Sequence, residues 1–426
     1  MPRTLKDWLA FQLAGSRAEI VLGLERVRAV AAALELKSPA TLVVSVAGTN
    51  GKGSTVAFLE AMARAGGHRV GAYTSPHLLR YNERIRIDGA EADDQQICAA
   101  FARIEQARIE ADASLTYFEY GTLAALLLFG EAGLDLAILE VGLGGRLDAV
   151  NLIDADAAIV TSIDLDHQEW LGHDRETIAR EKAGIFRRGA IAVVAERDPP
   201  AALQHRANEV GARVLAAGHD YDWTVDGSSW RWQSNGGRTL ALPAPNLPGA
   251  AQFGNASGAI AALVGLSSRF PLADRAFADG VRDARLIGRL QLTRWQEREV
   301  LLDVAHNPQA ARTLSDWLHT HYPGRGIVAV FGGLADKDTA AIVLALRVQI
   351  RHWFCGGLEA GAQRGLSGSA LAARVDAAGG RASEHSTVLE ALAAARDRSA
   401  PDELVVAFGS FFVVTAVLRE LEVAHL

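Results

Sequence analysis

Short runs of valine, isoleucine and leucine alternate along the chain with longer segments of helical period. The runs are apolar at consecutive positions, which is typical of strands that are covered on both faces of a parallel sheet. The longer segments repeat their apolar residues with the period of an amphipathic helix. This alternation predicts an α/β protein with a doubly wound, mostly parallel sheet. The candidate strands are TLVVSVAG, RVGAYTS, LDLAILEVG, DAAIVTSI and AIAVVAE, and the candidate helices include STVAFLEAMARA, DDQQICAAFARIEQARIEA and TIAREKAGIF.

Two changes of pattern divide the rest of the chain. Around residues 218–245, three tryptophans alternate with polar residues beside a glycine-rich turn, which predicts a β-hairpin or meander with tryptophans used for packing. After LIGRLQ a second α/β series begins, with EVLLDVAHN, GIVAVFGG, RHWFCGG and ELVVAFGS as strands. We place the boundary near residues 286–297. The sequence thus predicts a larger N-terminal domain, 1–288, and a smaller Rossmann-like domain, 289–426.

Composition excludes several classes of protein. The 426 residues are 49% hydrophobic and 22% charged, and the net charge of −7 argues against nucleic acid as the main partner. The two cysteines lie far apart, outside any C-x-x-C motif, so neither a disulfide scaffold nor a cysteine zinc site is expected. The N-terminus lacks the apolar core of a signal peptide, and no apolar run is long enough to span a membrane. We expect a monomeric cytoplasmic protein.

The stretch GTNGKGST lies between a valine-rich strand and an amphipathic helix, where a phosphate loop belongs. Gly48, Gly51 and Gly53 permit backbone turns that direct successive N–H groups at one anion. The helix beginning near Ser54 adds its positive end, and Lys52 neutralises phosphate charge. The spacing differs from the common G-x-x-x-x-G-K-S/T pattern, which argues against the common kinases, GTPases and motor ATPases.

This variant loop resembles that of the ATP-dependent amide-bond ligases of the Mur ligase superfamily, and especially of the folylpolyglutamate synthase/dihydrofolate synthase family. Further matches run in order from about residue 23 to 410, over nearly the whole chain. They are YTSPHL, FEYGTLAA, EVGLGGRLDA, TSIDLDH, REKAGIF, GRLQ, DVAHNP and LADKD. The resemblance implies that the loop presents ATP to a carboxylate.

A magnesium site is expected beside the phosphate loop. Glu140 ends a predicted strand at the sheet edge where ligands gather, and Mg²⁺ prefers hard oxygen ligands, although a salt bridge is the alternative for an isolated strand-end carboxylate. By resemblance, Ser75 and Glu140 hold a first magnesium ion and His167 is a ligand of a second. The resemblance also implies that Lys182 is carbamylated, which would convert a cation into a metal-binding carboxylate. Ser54 is a possible helper through its hydroxyl.

The resemblance places further residues on ATP and near the reacting groups. Asn255 and Arg289 match residues that contact ATP, and arginine suits this role because its fork bridges phosphate oxygens. Asp303, after a strand of the second domain, matches another ATP contact, and His306 matches a residue close to the reaction. Together with Lys52 and Lys182, Asp303 and His306 form the predicted catalytic set. Lys337 is a candidate for binding the incoming glutamate.

A pocket for a pterin ring is predicted from TYFEYGTLAA and GGRLDA. Aromatic side chains can stack on a flat heterocycle, while a carboxylate accepts hydrogen bonds from ring N–H groups. The predicted pocket residues are Thr116, Tyr117, Phe118 and Glu119, and the resemblance adds the turn Leu147, Asp148 and Ala149 and the segment Ile20, Val21 and Leu22.

The resemblance implies a reaction that joins L-glutamate to dihydropteroate, giving dihydrofolate, and to reduced folates. The substrate carboxylate attacks the γ-phosphate of MgATP, and the amine of glutamate then displaces phosphate from the acyl phosphate. Closure about the LIGRLQ hinge would exclude water. Three alternatives stay open: a Mur-type ligase acting on a UDP-linked cell-wall precursor, a regulatory or motor ATPase, and a non-enzymatic nucleotide-binding scaffold.

Overall fold

The apolar runs form buried strands, and most of the segments between them form helices. The computed structural model describes residues 2–15, 21–227, 229–359, 362 and 364–424. By their contacts the residues form two compact units. The first comprises Met1–Asp164, Leu171–Asn246 and Gln252–Arg285, and the second comprises Leu165–Trp170, Leu247–Ala251 and Leu286–Leu426. The predicted boundary between residues 288 and 289, and the roles given to the two domains, stay predictions.

The chain up to residue 285 contains eleven strands and ten α-helices among its described residues. The strands are β1 Leu42–Ala47, β2 Val70–Tyr73, β3 Ile85–Ile87, β4 Ala90–Glu91, β5 Leu136–Glu140, β6 Ala157–Val160, β7 Ile191–Val194, β8 Arg213–Ala216, β9 Tyr221–Asp226, β10 Ser229–Ser234 and β11 Thr239–Pro243. The helices are α1 Leu5–Gly15, α2 Glu25–Ala33, α3 Lys52–Ala65, α4 Asp94–Glu110, α5 Tyr117–Ala132, α6 Gln168–Leu171, α7 Arg175–Lys182, α8 Ala201–Val210, α9 Ala251–Gly265 and α10 Asp274–Asp283.

Eight of these strands form one sheet in the order β4-β3-β2-β5-β1-β6-β7-β8. All neighbouring pairs are parallel except β2–β3 and β3–β4 at one edge, and every residue of β1, β2, β5, β6 and β7 is buried. After β1 the chain builds one side of the sheet and then crosses to β6 on the other. Ligands bind at such a switch point, at the carboxyl ends of the strands. The predicted fold class, a doubly wound α/β sheet, is confirmed.

Strands β9, β10 and β11 form a separate antiparallel sheet, as the alternating pattern of residues 218–245 predicted. Trp230 and Trp232 are buried, since their inward positions on β10 pack against the unit, and Trp223 lies under the guanidinium of Arg197 at 3.8 Å. These contacts agree with the expected packing role of the tryptophans.

The second unit has a six-stranded sheet in the order β12-β13-β17-β14-β15-β16, parallel except for β12. Its core strands, β14 and β17, are buried throughout. The bounds are β12 Gln291–Trp295, β13 Arg298–Leu302, α11 Pro308–His321, β14 Ile327–Phe331, α12 Thr339–Leu346, β15 Ile350–Gly356, α13 Gly368–Ala377, β16 Ala382–His385, α14 Val388–Arg398, β17 Leu404–Phe408 and α15 Phe411–Ala424.

The predicted helix TIAREKAGIF is shorter in the structure. Helix α7 ends at Lys182, a 3₁₀ turn spans Ala183–Ile185, and Phe186 is extended. A Cβ on Gly184 would come within 2.4 Å of the Arg146 Cβ, so tight packing of the GGR loop accompanies the early end. Across the ranges described, no helix has the length and apolar character needed to cross a membrane.

Candidate active site

The GTNGKGST loop connects β1 to α3 at the switch point of the first sheet. Gly51 caps the helix with φ of 90°, a conformation that favours glycine, and a Cβ there would come within 2.4 Å of Asn255 Oδ1. A Cβ on Gly48 would meet Thr161 Oγ1 at 1.7 Å. The structure therefore brings Asn255, a predicted ATP contact, against the loop. Gly53 and the buried Ser54 lie in the first turn of α3.

Two lysines converge on this loop. Lys52 Nζ donates to the carbonyl oxygens of Gly48 at 2.9 Å and Thr49 at 3.2 Å, and Lys182 Nζ donates to the same Gly48 oxygen at 3.0 Å. Lys182 is only 5% exposed. The Lys52 ammonium group and the loop amides at the start of α3 make this place positive, which suits a polyanion such as the phosphate chain of a nucleotide.

Ser75 and Glu140 lie side by side beside the loop. Glu140 is the last residue of β5, Ser75 follows β2, and these two strands are neighbours in the sheet. The Ser75 N–H donates to Glu140 Oε2 at 3.0 Å, and Glu140 is buried. A carboxylate and a hydroxyl in adjoining positions are suitable hard ligands for Mg²⁺ or Mn²⁺. The predicted first pair of metal ligands is thus adjacent in the structure.

His167 belongs to the segment 165–170, which groups with the second unit. Its neighbour Asp166 is the centre of a polar cluster. Asp166 Oδ1 forms an ion pair with Lys337. Asp166 Oδ2 accepts a hydrogen bond from Asn307 Nδ2 at 3.2 Å and lies 3.5 Å from His306 Nε2. We name these four residues the Asp166 cluster: Asp166, His306, Asn307 and Lys337.

The neighbours of Asp166 set the pKa of its carboxyl group. Burial alone would raise the pKa of Asp166, but the hydrogen bond from His306 and the positive charge of Lys337 hold that pKa well below its usual range. His306 Nδ1 lies 2.8 Å from the Val304 carbonyl, which can only accept, so Nδ1 must carry a proton. Asp166 was not among the functional residues predicted from the sequence. The signal was present, since it directly precedes His167 in DLDH.

Arg289 and Asp303, both predicted ATP contacts, come together in the second unit. The Asp303 carboxylate accepts from the N–H groups of Leu290 at 2.9 Å and Ala305 at 2.7 Å. Burial raises the pKa of Asp303, and the nearby Arg289 partly opposes that rise. The Arg289 guanidinium also lies 5.5 Å from the centre of the Phe411 ring. The short turn after β13 is therefore held rigidly by its own aspartate.

The predicted pterin pocket has an internal ion pair that sequence reasoning did not find. Thr116 and Glu119 form a capping box at the start of α5, in which Glu119 Oε2 accepts from the Thr116 N–H at 2.7 Å. Glu119 Oε1 accepts from Arg26 Nη2 at 2.9 Å, and the same nitrogen donates to the Val21 carbonyl. Both carboxylate oxygens of Glu119 thus have protein partners, and its pterin role stays a prediction.

The other predicted pocket residues lie close to this pair. Leu22 adjoins Gly23, whose N–H donates to the Leu147 carbonyl at 3.3 Å, so two pieces of the pocket meet. The Phe118 ring packs on Gly142, where a Cβ would clash at 2.6 Å, and Tyr117 is half-buried. Asp148 caps the 3₁₀ turn that begins at the buried Ala149. Ile20 lies outside the described residues.

Asp148 is buried, and burial raises its pKa to about 6. The N–H groups of Leu143 at 2.8 Å and Val150 at 2.9 Å donate to its two oxygens and partly oppose the rise. The Asp148 carboxyl group thus holds the backbone of the GLGGRLDA loop through these two hydrogen bonds.

Two family models match the chain. Residues 46–263 match the Mur ligase middle domain, and residues 288–411 match the glutamate ligase domain of Mur ligases. The dihydrofolate synthase/folylpolyglutamate synthase of Escherichia coli strain K12 is 42% identical over 418 residues, which cover 98% of this chain and 96% of that protein.

Solved structures agree with these matches. The E. coli FolC structure in complex with DHPP and ADP is 41% identical, covers 100% of both chains and has a TM-score of 0.93. A bifunctional folylpolyglutamate synthase/dihydrofolate synthase with Mn, AMPPNP and L-glutamate bound is 44% identical, with a TM-score of 0.89 and coverage of 99% of this chain and 98% of that one. These matches confirm the resemblance, and the chain belongs to the dihydrofolate synthase/folylpolyglutamate synthase family of Mur ligases.

Proposed function

We propose that this protein is an ATP-dependent ligase that adds L-glutamate to dihydropteroate, giving dihydrofolate, and to reduced folates, lengthening their glutamate tail. The observation that carries the proposal is the phosphate loop at the start of α3, where the Lys52 ammonium group lies against the loop carbonyls of Gly48 and Thr49. The substrates are proposed from the relatives in Escherichia coli and Haemophilus influenzae, whose names carry both activities.

The residues present fit ATP and a divalent metal ion. Gly48 and Gly51 let the loop pack directly against Thr161 and Asn255, where a Cβ would clash, and the loop amides lie at the start of α3. Ser75 and Glu140 offer a hydroxyl and a buried carboxylate in adjoining positions. A divalent ion bound by them would supply charge neutralisation for phosphate oxygens. We propose magnesium as that ion, with a second ion held by His167 and a carbamylated Lys182.

In the proposed reaction, the protein residues stabilise the charge of the phosphoryl group and position the substrates. The substrate carboxylate attacks the γ-phosphorus of ATP, ADP departs, and an acyl phosphate forms. The amine of glutamate then attacks the acyl carbon, the amide forms and phosphate leaves. Lys52 stabilises negative charge on the transferred phosphoryl group, and Arg289 and Asp303 bind the nucleotide. His306 and Lys337, both held by Asp166, are proposed to orient the reacting groups and the incoming glutamate.

One assay tests the function. ADP release is measured with purified protein, ATP, Mg²⁺ and glutamate, with four acceptors in parallel: dihydropteroate, a tetrahydrofolate, a UDP-linked cell-wall precursor, and none. We expect release only with the two pteridines, and mass spectrometry should show each product heavier by one glutamyl residue. Release with the UDP precursor alone, or equal release without any acceptor, would reject the proposal. We also propose that the protein is a monomer that acts in the cytoplasm.

A further inference from the structure

Arg84 is a buried cation whose charge the described protein does not balance. Arg84 is 7% exposed and is the last residue of the 3₁₀ turn Tyr81–Arg84. Within the described ranges no carboxylate lies at ion-pair distance from it, and its Nε donates to His77 Nδ1, a neutral acceptor, at 2.8 Å. By contrast, Arg86, two positions on, pairs with Glu60 at 2.7 Å. Burying a guanidinium without an anionic partner is costly, so Arg84 has the properties of an anion-binding residue.

Two aromatic rings pack against this guanidinium. Its central carbon lies 5.3 Å from the centre of the Tyr81 ring and 5.4 Å from that of the Tyr117 ring. The Tyr81 hydroxyl is buried and has no hydrogen-bond partner among the residues described. Burial raises the pKa of Tyr73 to about 12, while Arg84 acts in the opposite direction because its positive charge lies nearby. The Arg84 guanidinium thus lies beside two aromatic rings and close to the Tyr81 hydroxyl.

The place adjoins both proposed parts of the active site. Tyr117 is the first residue of α5 and belongs to the predicted pterin pocket. On the other side, the carbonyl oxygen of Arg84 accepts the Thr74 N–H at 2.9 Å, directly before the proposed metal ligand Ser75. A pteridine substrate that runs from the pterin pocket towards the phosphate loop carries a carboxylate at the end that reacts.

We propose that Arg84 binds a carboxylate of the pteridine substrate through its terminal nitrogens. This inference rests on the proposed function. A guanidinium can hold a carboxylate with two parallel hydrogen bonds, which fixes the orientation of the acid as well as its position. The Tyr81 and Tyr117 ring centres are only 5.7 Å apart, so both rings pack on the same side of the guanidinium.

Two carboxylates meet this description. Dihydropteroate has one, on its benzoate ring, and that group reacts. A monoglutamylated tetrahydrofolate has two, of which the γ-carboxylate reacts and the α-carboxylate does not. Arg84 acts as a positioning residue for the reaction in the first case and as a specificity residue for tail extension in the second. Analogues in which one carboxylate at a time is replaced by a carboxamide separate the two.

The experiment measures equilibrium binding to the full-length protein in the presence of ADP and Mg²⁺. The ligands are dihydropteroate, a tetrahydrofolate, and the carboxamide analogues of each. In the wild type, loss of the recognised carboxylate should weaken binding by about 10- to 100-fold, the range for hydrogen bonds between charged groups. In Arg84→Gln that carboxylate and its carboxamide should bind within about threefold of each other, because the partner of the charge is gone.

Arg103→Gln is the matched control, since Arg103 lies on the exposed surface of α4 and is paired with Glu131. It should keep the wild-type discrimination. If Arg84→Gln does not fold, Arg84→Lys retains the charge and should bind both forms with reduced discrimination, since it loses the two-point contact. The inference is overturned if the folded Arg84 variants discriminate as the wild type does. If the wild type binds no pteridine at all, the proposed function fails with it.

Discussion

Lys182 Nζ lies 3.0 Å from the carbonyl oxygen of Gly48 in the phosphate loop. The lysine ends α7, 134 positions further along the chain, and is buried against the loop. Carbamylation would leave one N–H on this nitrogen and add two oxygens. The hydrogen bond to Gly48 can therefore persist while the oxygens become available to a metal ion.

We predict that Lys182 carries this carbamate. Protein equilibrated with ¹³C-bicarbonate should show one slowly exchanging carbamate signal in the ¹³C NMR spectrum, and Lys182→Gln should lack it. Acetate or another short carboxylate should restore part of the activity of a Lys182→Ala variant, because it can replace the missing oxygens. An active wild type without the signal would contradict the prediction.

Lys52→Ala should lower the rate of ADP formation by about 100-fold or more, the range found when one donor to developing charge is removed. Thermal unfolding should change little, since Lys52 Nζ donates to carbonyl oxygens of the loop itself. Lys37→Ala, at an exposed position, is the control and should keep the wild-type rate. Turnover near the wild-type value in Lys52→Ala would remove the phosphate-loop interpretation.

Glu119→Gln should damage the use of dihydropteroate much more than tail extension. The shorter substrate must carry its ring deeper if the reacting carboxylate has a fixed position, so it depends more on the pocket. Glutamine keeps an oxygen for the Thr116 N–H but loses the ion pair with Arg26. The ratio of the two kcat/KM values is the measurement. A parallel loss of both activities would indicate that Glu119 supports only the start of α5.

A protein that extends tetrahydrofolates but never converts dihydropteroate would contradict the bifunctional assignment and leave the ligase assignment standing.

Asp166→Asn should destabilise the second unit by about 3 to 5 kcal/mol, the usual cost when one partner of a buried ion pair is removed. The cause is Lys337, whose side chain is 6% exposed and would lose its closest carboxylate. Urea unfolding measures the loss. The double variant Asp166→Asn/Lys337→Met should be more stable than Asp166→Asn alone, because no buried charge is left unbalanced. A double variant as unstable as the sum of both single variants would contradict this account.

Asp148 should make stability depend on pH. Its pKa is about 6 in the folded protein, above the ordinary value of 3.8, so the folded state binds the proton more tightly than the unfolded state does. The stabilising contribution is full below about pH 4 and is lost as pH rises through 6, and it amounts to roughly 3 kcal/mol. Relative to Asp148→Asn, the wild type should therefore lose stability between pH 4.5 and 7. Equal pH profiles of the urea midpoints would contradict the assigned pKa.

Local sequence patterns were sufficient to predict most of the strands and helices and the phosphate loop. Consecutive apolar residues predicted β1, β5 and β14 because both faces of these strands are covered. The edge strand β8 and the short β3 and β4 were missed, since exposed or very short strands have no such run. The end of α7 at Lys182 was missed for another reason: the close packing of Gly184 on Arg146 is a tertiary contact.

The sequence by itself therefore determined the fold class, the phosphate loop and the family, because each is written in neighbouring residues. Tertiary structure decided which charges meet. The pairs Glu119–Arg26, Lys182–Gly48 and Lys337–Asp166 join residues 93, 134 and 171 positions apart. Nothing in local periodicity reports such a pair, since any buried charge can be balanced by any element that folding brings within hydrogen-bond distance. Arg84 was overlooked for the same reason, because the lack of a carboxylate partner among the described residues is a property of the folded chain alone.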